Sequence, residues 1–133
     1  MSSSITTQTL ISVLIICVAG GLGAVARFFL DTCIKEAKAF TFPLSTLVIN
    51  ALASLLAGAI AALYLHSGVF ANSPLVHTAL ATGFLGGFST FSTMINESVT
   101  LFRRKHYLVS IANIIVEVIV PWSCVALGWL MFA

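Results

Sequence analysis

Charge is what this chain has least of. Its 133 residues include six Lys or Arg and four Asp or Glu, against 59% hydrophobic residues. A water-soluble chain of this length has too small an interior to hide that much apolar surface, so the expected solvent is the lipid bilayer. The shortage of cations excludes nucleic acid as a partner: the formal net charge is +2, and Arg103-Arg104-Lys105 is a short cluster, not a basic groove. Cysteine is also scarce. Cys17, Cys33 and Cys124 are odd in number and lack metal-type spacing, and the two in apolar segments read as small buried hydrophobes. The first ten residues contain no Lys or Arg, which the start of a signal peptide needs, so the first apolar run reads as a retained helix. There is no nucleophile–base pair and no metal-ligand cluster. The glycine-rich run has no P-loop lysine, so an enzyme is not expected.

What is present in abundance is long apolar sequence. Four segments, at about residues 10–30, 44–65, 74–102 and 107–132, each reach the ~20 residues a helix needs to cross a hydrocarbon core. The expected fold is all-α and integral to the membrane: one domain of four transmembrane helices joined by short connections. Phe42-Pro43 opens the second segment and Ser73-Pro74 the third, with proline suited to a first helical turn and Ser73 to an N-cap. Tyr107, Trp122 and Trp129 are residues of the interfacial type, although Trp122 falls too centrally for an interface.

All six cations fall in two places. Arg27, Lys35 and Lys38 follow the first segment, and Arg103, Arg104 and Lys105 lie between the third and fourth. In a four-helix chain these regions share one side. The positive-inside rule makes both cytoplasmic and both termini external, with localisation in the cell membrane. His66 and His77, on the opposite side, read as ordinary loop or helix-end residues.

Polar residues inside the spans are few and patterned. Thr46, Asn50, Ser54 and Gly58 recur at four-residue steps and form one stripe. Ser54 and Gly58 suit close helix packing. An amide at the depth of Asn50 is costly unless bonded, so it either joins helices or faces a polar path. The most informative stretch is Gly83-Phe84-Leu85-Gly86-Gly87-Phe88-Ser89-Thr90-Phe91-Ser92-Thr93-Met94. Glycines loosen a helix, and backbone groups released at membrane depth must face protein, water or an ion. The third helix is therefore expected to break at mid-membrane, at the working part of the protein.

Three pieces of the chain together resemble the Fluc (CrcB) family of small fluoride channels. They are Gly20-Gly21-Leu22-Gly23-Ala24-Val25-Ala26-Arg27, Ser45-Thr46-Leu47-Val48-Ile49-Asn50, and the run from Gly83 to Thr93. Length and four-helix layout agree as well. The resemblance implies an antiparallel dimer with two narrow fluoride pores lined by both subunits. It makes Asn50 the pore asparagine and Phe91 the first of two pore phenylalanines. Gly86 and Ser89 take the positions whose backbone carbonyls hold a central, structural sodium ion. Arg27 is the arginine at the end of the first helix, and Glu97 is an acid near the cytoplasmic vestibule.

The chemistry agrees with that assignment. Fluoride is small and strongly hydrated, so a pore must replace its water with donors, which Asn50, Ser92, Thr93 and Thr46 carry. The edge of an aromatic ring bears positive potential, so Phe91 seen edge-on suits an anion. Released carbonyls have the right sign for a cation.

The chain also departs from the family. The second pore phenylalanine falls at Met94, which has no ring edge. In the fourth segment Asn113, Glu117 and Pro121 share the face where the family carries small polar side chains. An ionised Glu117 repels fluoride; protonated in a dry setting, it donates. A homodimer of antiparallel subunits needs one sequence to insert both ways, which the charge bias opposes. The expectation is therefore one half of a heterodimer, with one pore built around Phe91 and a degraded one near Met94. Two alternatives stay open: a small proton-coupled transporter using Glu117, and a non-conducting partner subunit.

Overall fold

The computed structural model describes residues 2–37, 42–70 and 72–133, with backbone alone at 2 and 3. Lys38 lies outside the described residues, so its place in the first basic region is not assigned. All regular structure among the described residues is helical.

Helix α1 (Ser2–Ala37) is much longer than the apolar segment it contains. In its polar start the hydroxyls are satisfied within the helix: Thr9 Oγ1 donates to the Ile5 carbonyl and Ser12 Oγ to that of Gln8, both at 2.9 Å. At the other end Lys35 Nζ meets Asp31 Oδ2 at 2.8 Å, one turn away. Helix α2 (Leu44–Ala62) begins one residue after Pro43, which sits at the N-cap position and not within the first turn. It runs on through a wider π-type stretch, Leu63–Ser67, and stops at Gly68, whose φ of +62° is left-handed.

Helix α3 covers residues 74–88 in three continuous parts: Pro74–Thr78, a π-type stretch Ala79–Phe84, and Leu85–Phe88. Pro74 opens it. The Ser73 side chain makes no capping bond; instead its carbonyl accepts from the N–H groups of Val76 at 3.0 Å and His77 at 3.4 Å. The chain then leaves the helix at Ser89 and Thr90, whose ψ angles of 160° and 115° are extended. Helix α4 (Phe91–Arg103) restarts at once, and α5 (Tyr107–Phe132) follows with Pro121 inside it.

Three helices among the described residues are long and apolar enough to cross a membrane: Ser4–Ala37, Leu44–Ser67 and Tyr107–Phe132. The fourth length is made by α3 and α4 together, and the break between them keeps either from qualifying alone.

Glycine sets how the helices meet. α2 packs against α5, and α1 against α3. Gly58 faces the Val125 carbonyl and the Trp129 nitrogen, while Gly128 faces the Leu55 carbonyl and the Ala59 nitrogen. A Cβ at either position would occupy space held by the opposing backbone. Gly23 lies in the same way on the Phe84 carbonyl, and Gly87 on that of Gly20. Such contacts give dispersion energy to helices that gain nothing from the hydrophobic effect in lipid. The buried core is correspondingly small. Ile49, Ala53 and Phe88 form it, with Ala26, Leu30 and Phe84 packed around them. Most other large apolar side chains, Leu22, Phe28 and Leu108 among them, point outward. At one end Tyr64 stacks on His77 with ring centroids 4.2 Å apart, and His66 meets Trp129 edge-on at 5.3 Å.

Candidate ion site at the helix break

The break exists because side chains take over its backbone hydrogen bonds. Thr90 is the N-cap of α4, and its Oγ1 accepts from the Thr93 N–H at 3.3 Å. Across from it on α2, Asn50 Oδ1 accepts from the Thr90 N–H, and Asn50 Nδ2 donates to the Thr90 carbonyl, both at 2.9 Å. One amide thus satisfies both backbone groups of one residue, which in an apolar setting must be paired.

The carbonyls ahead of the break are affected. In a continuous helix the Thr90 N–H would reach the Gly86 carbonyl, and the Thr93 N–H that of Ser89. Both N–H groups are diverted, to Asn50 and to the Thr90 hydroxyl. Gly86 and Ser89 are therefore among the residues whose carbonyls lose their helical donors, as are Gly87 and Phe88 at the end of α3. Gly86 is exposed, with open space where a side chain would stand.

Beside the break lies a cavity of about 290 Å³. Asn50, Ser89, Phe91, Met94 and Glu117 meet in its wall, so five residues picked out in sequence converge on one space. Phe91, the first residue of α4, is 70% exposed in the single chain, whereas Met94, one turn on, is 3% exposed. Glu117 is 5% exposed: Asn50 Nδ2 donates to its Oε2 at 3.1 Å, and its Oε1 is buried with no protein partner. Both amide hydrogens of Asn50 are thus engaged within the chain, one by Thr90 and one by Glu117.

Other residues named from sequence stand apart from this wall. Ser92 Oγ lies 3.5 Å and Thr93 Oγ1 2.8 Å from Thr90 Oγ1, so these hydroxyls cluster at the helix cap. Thr46, one turn before Asn50, is buried, with its hydroxyl beside the Glu97 carboxyl but outside regular hydrogen-bond geometry. Asn113 is 0% exposed and donates to Ser98 Oγ at 2.9 Å; that hydroxyl bonds the Met94 carbonyl, while Ser110 Oγ donates to the Ser98 carbonyl. Asn113 therefore ties α5 to α4. Arg27 and Glu97 are half-buried, each with one buried side-chain atom unpartnered.

Three residues at the site carry no such role on sequence pattern alone. Ser54, which the pattern gives to packing, faces the cavity, as does Trp122 at 80% exposed. Thr90 is the pivot of the break. Its position directly before a helix restart after two glycines is the N-cap signal that singles it out.

These features define a small, all-helical, multi-pass membrane protein whose third helical segment is interrupted by a side-chain-clamped break. The sequence pattern of the family described as "CrcB-like protein, Camphor Resistance (CrcB)" matches residues 14–129. Fluoride-specific ion channel FluC 3 of Bifidobacterium longum is 48% identical over 118 residues, covering 89% of this chain and 95% of the relative. FluC 1 of the same strain is 43% identical, covering 84% and 88%. The Pyrococcus abyssi FluC is 36% identical, covering 89% and 93%. The chain belongs to the CrcB/FluC family, which is a family of channels and not of enzymes.

Proposed function

We propose that this chain is a subunit of a fluoride-selective channel that lets fluoride leave the cell passively, down its electrochemical gradient, and so protects the cell. The relatives named as fluoride-specific channels support this reading. The observation that carries it is the Asn50 clamp on Thr90: it opens a helix inside an apolar bundle and places an exposed phenylalanine beside polar side chains.

Fluoride must exchange its water for other donors along the way. Asn50, the ring edge of Phe91, and the hydroxyls of Ser92, Thr93 and Thr46 are the groups assigned to that path, with Met94 and Glu117 standing where the family's remaining path residues fall; Asn113, on the same face of α5, bonds Ser98 and supports the path from outside it. Arg27 and Glu97 belong to a vestibule. Gly86 and Ser89 fit a sodium site, because carbonyl oxygens without helical donors suit a hard cation. Bound there, sodium supplies a fixed positive charge. The exposed Gly86 leaves room for matching carbonyls from a second subunit.

The dimer is antiparallel, and a heterodimer is favoured over a homodimer. The charge bias fixes one orientation for this chain, with the loops after α1 and α4 cytoplasmic and both termini external. Two numbered relatives occur in one Bifidobacterium strain, so at least one organism carries two family chains. The test is reconstitution of the purified protein in liposomes with fluoride efflux recorded. Efflux selective for fluoride over chloride is expected from the assembled two-chain complex. Robust flux from this chain alone removes the heterodimer; no flux from the assembled complex removes the channel.

The burial of Glu117 inside the cavity favours one second reading, a proton-coupled transporter. Passive flow follows the fluoride gradient at equal pH on both sides, whereas exchange stops when the proton gradient is removed. A non-conducting partner role predicts that Asn50→Ala leaves flux through the assembled complex intact.

A further inference from the structure

Fluoride entering the cavity at the helix break needs free donors, and most of those in its wall are engaged. Asn50 Nδ2 directs its two hydrogens to the Thr90 carbonyl and to Glu117 Oε2, and the Thr90 N–H is held by Asn50 Oδ1. The Thr90 hydroxyl is shared with Ser92 and Thr93 at the helix cap. Glu117 has one carboxyl oxygen bonded to Asn50 and the other enclosed. Met94, Val118 and Pro121 carry no polar hydrogen on their side chains.

Ser54 differs from all of these. It stands one turn after Asn50 on α2, in the cavity wall. A hydroxyl inside a helix commonly donates to the carbonyl four residues back. Thr32, Thr78, Thr100 and Ser123 do so at 2.8 to 3.0 Å. Ser54 makes no such bond and has no other partner among the described residues. Its Oγ keeps accessible surface, unlike the enclosed hydroxyl of Thr46 on the same stripe. Ser89 and Trp122 also bring free donors to the wall, but both are exposed, whereas Ser54 is half-buried. Partial removal from water strengthens a donor's hold on an anion. α2 also fixes the position of Ser54: Asn50 is tied to the break one turn before it, and Gly58 is seated on the Val125 carbonyl one turn after it.

We propose, on the channel reading above, that the Ser54 hydroxyl is a fluoride-contacting donor of this cavity and replaces one water of the ion's shell where Asn50 has no hydrogen to spare. The O–H is neutral and stays on the serine, so fluoride passes without taking a proton. An ionised acceptor makes the bond stronger than one between neutral groups. Lacking a protein partner, the same hydroxyl contributes no hydrogen bond to the fold, so its removal separates ion binding from stability.

The experiment is fluoride efflux from liposomes holding the full chain with any copurifying second chain, with protein-free liposomes subtracted, run beside thermal unfolding in detergent. Wild type, Ser54→Ala and Ser54→Cys are compared. Ser54→Ala removes the oxygen and leaves the rest of the side chain. Ser54→Cys fills the same space with a weak donor. Both are expected to lower fluoride flux per folded molecule by about tenfold, the effect of one lost hydrogen bond to a charged group. Neither is expected to lower the unfolding midpoint. Ser54→Ala with wild-type flux overturns the proposal, and a lowered midpoint beside that flux assigns Ser54 to helix packing. Ser54→Cys with wild-type flux overturns it as well, because filled space then suffices. If the wild-type complex moves no fluoride, the channel reading itself fails and this inference falls with it, a result distinct from the others.

Discussion

Helices α2 and α5 run together for most of their length, yet their two halves are built on opposite principles. At Gly58 and Gly128 the two backbones touch, each glycine seated on a carbonyl of the other helix. Two turns back along α2, at Asn50, the same pair is held by polar side chains and a cavity opens between them. Absence of a side chain closes one half; a long hydrogen-bonded one props the other open. In lipid both solutions stabilise helix association, through dispersion in the first and through paired polar groups in the second. Only the second leaves space that an ion could use.

The comparison breaks most severely at Asn50. Asn50→Ala removes the partner of two backbone groups and of Glu117 together, and each buried orphan costs about 1–3 kcal/mol. Loss of fluoride efflux is expected, together with a lower unfolding midpoint in detergent. Unchanged flux would show that the break is held by something other than this amide.

Gly58→Ala tests the closed half. Its Cβ would fall on the backbone of Val125 and Trp129, which cannot rotate away as a side chain can. A stability loss of about 1–3 kcal/mol is expected, the usual range for overpacking. Denaturant titration in mixed micelles measures it. Fluoride flux per folded molecule should fall less than in Asn50→Ala.

Asn113→Ala is the mildest change and the sharpest contrast. Asn113 and Glu117 stand one turn apart on α5, but Asn113 bonds Ser98 rather than the cavity. The expected loss is on the order of 1 kcal/mol, one buried hydrogen bond. Fluoride flux per folded protein should stay close to that of the wild type. A collapse of flux equal to that of Asn50→Ala would place Asn113 in the path.

Much of the site is legible in the amino-acid sequence. Asn50 stands out because amides are costly in lipid, and the glycine–hydroxyl run because it weakens a helix where nothing cheap replaces its bonds. Neither feature shows that the two meet, with Asn50 clamping the very residue at which the helix stops. Asn113, Glu117 and Pro121 share one face on periodicity alone. Periodicity gives direction around an axis but not what lies opposite, so Asn113 joins Ser98 while Glu117 joins Asn50. Ser54 reads as packing because small residues at four-residue steps usually pack; its neighbour across the gap happens to be a cavity and not a backbone.

The sequence by itself determined the solvent, the helical class and the weak point of the third span, because those follow from local composition: apolar length, scarce charge, and glycine next to hydroxyl residues. The tertiary structure decided which donors are engaged, which carbonyls are released, and that Glu117 faces Asn50. Those are properties of pairs of residues, 40 and 67 positions apart in the chain, and only packing brings such pairs within hydrogen-bond reach.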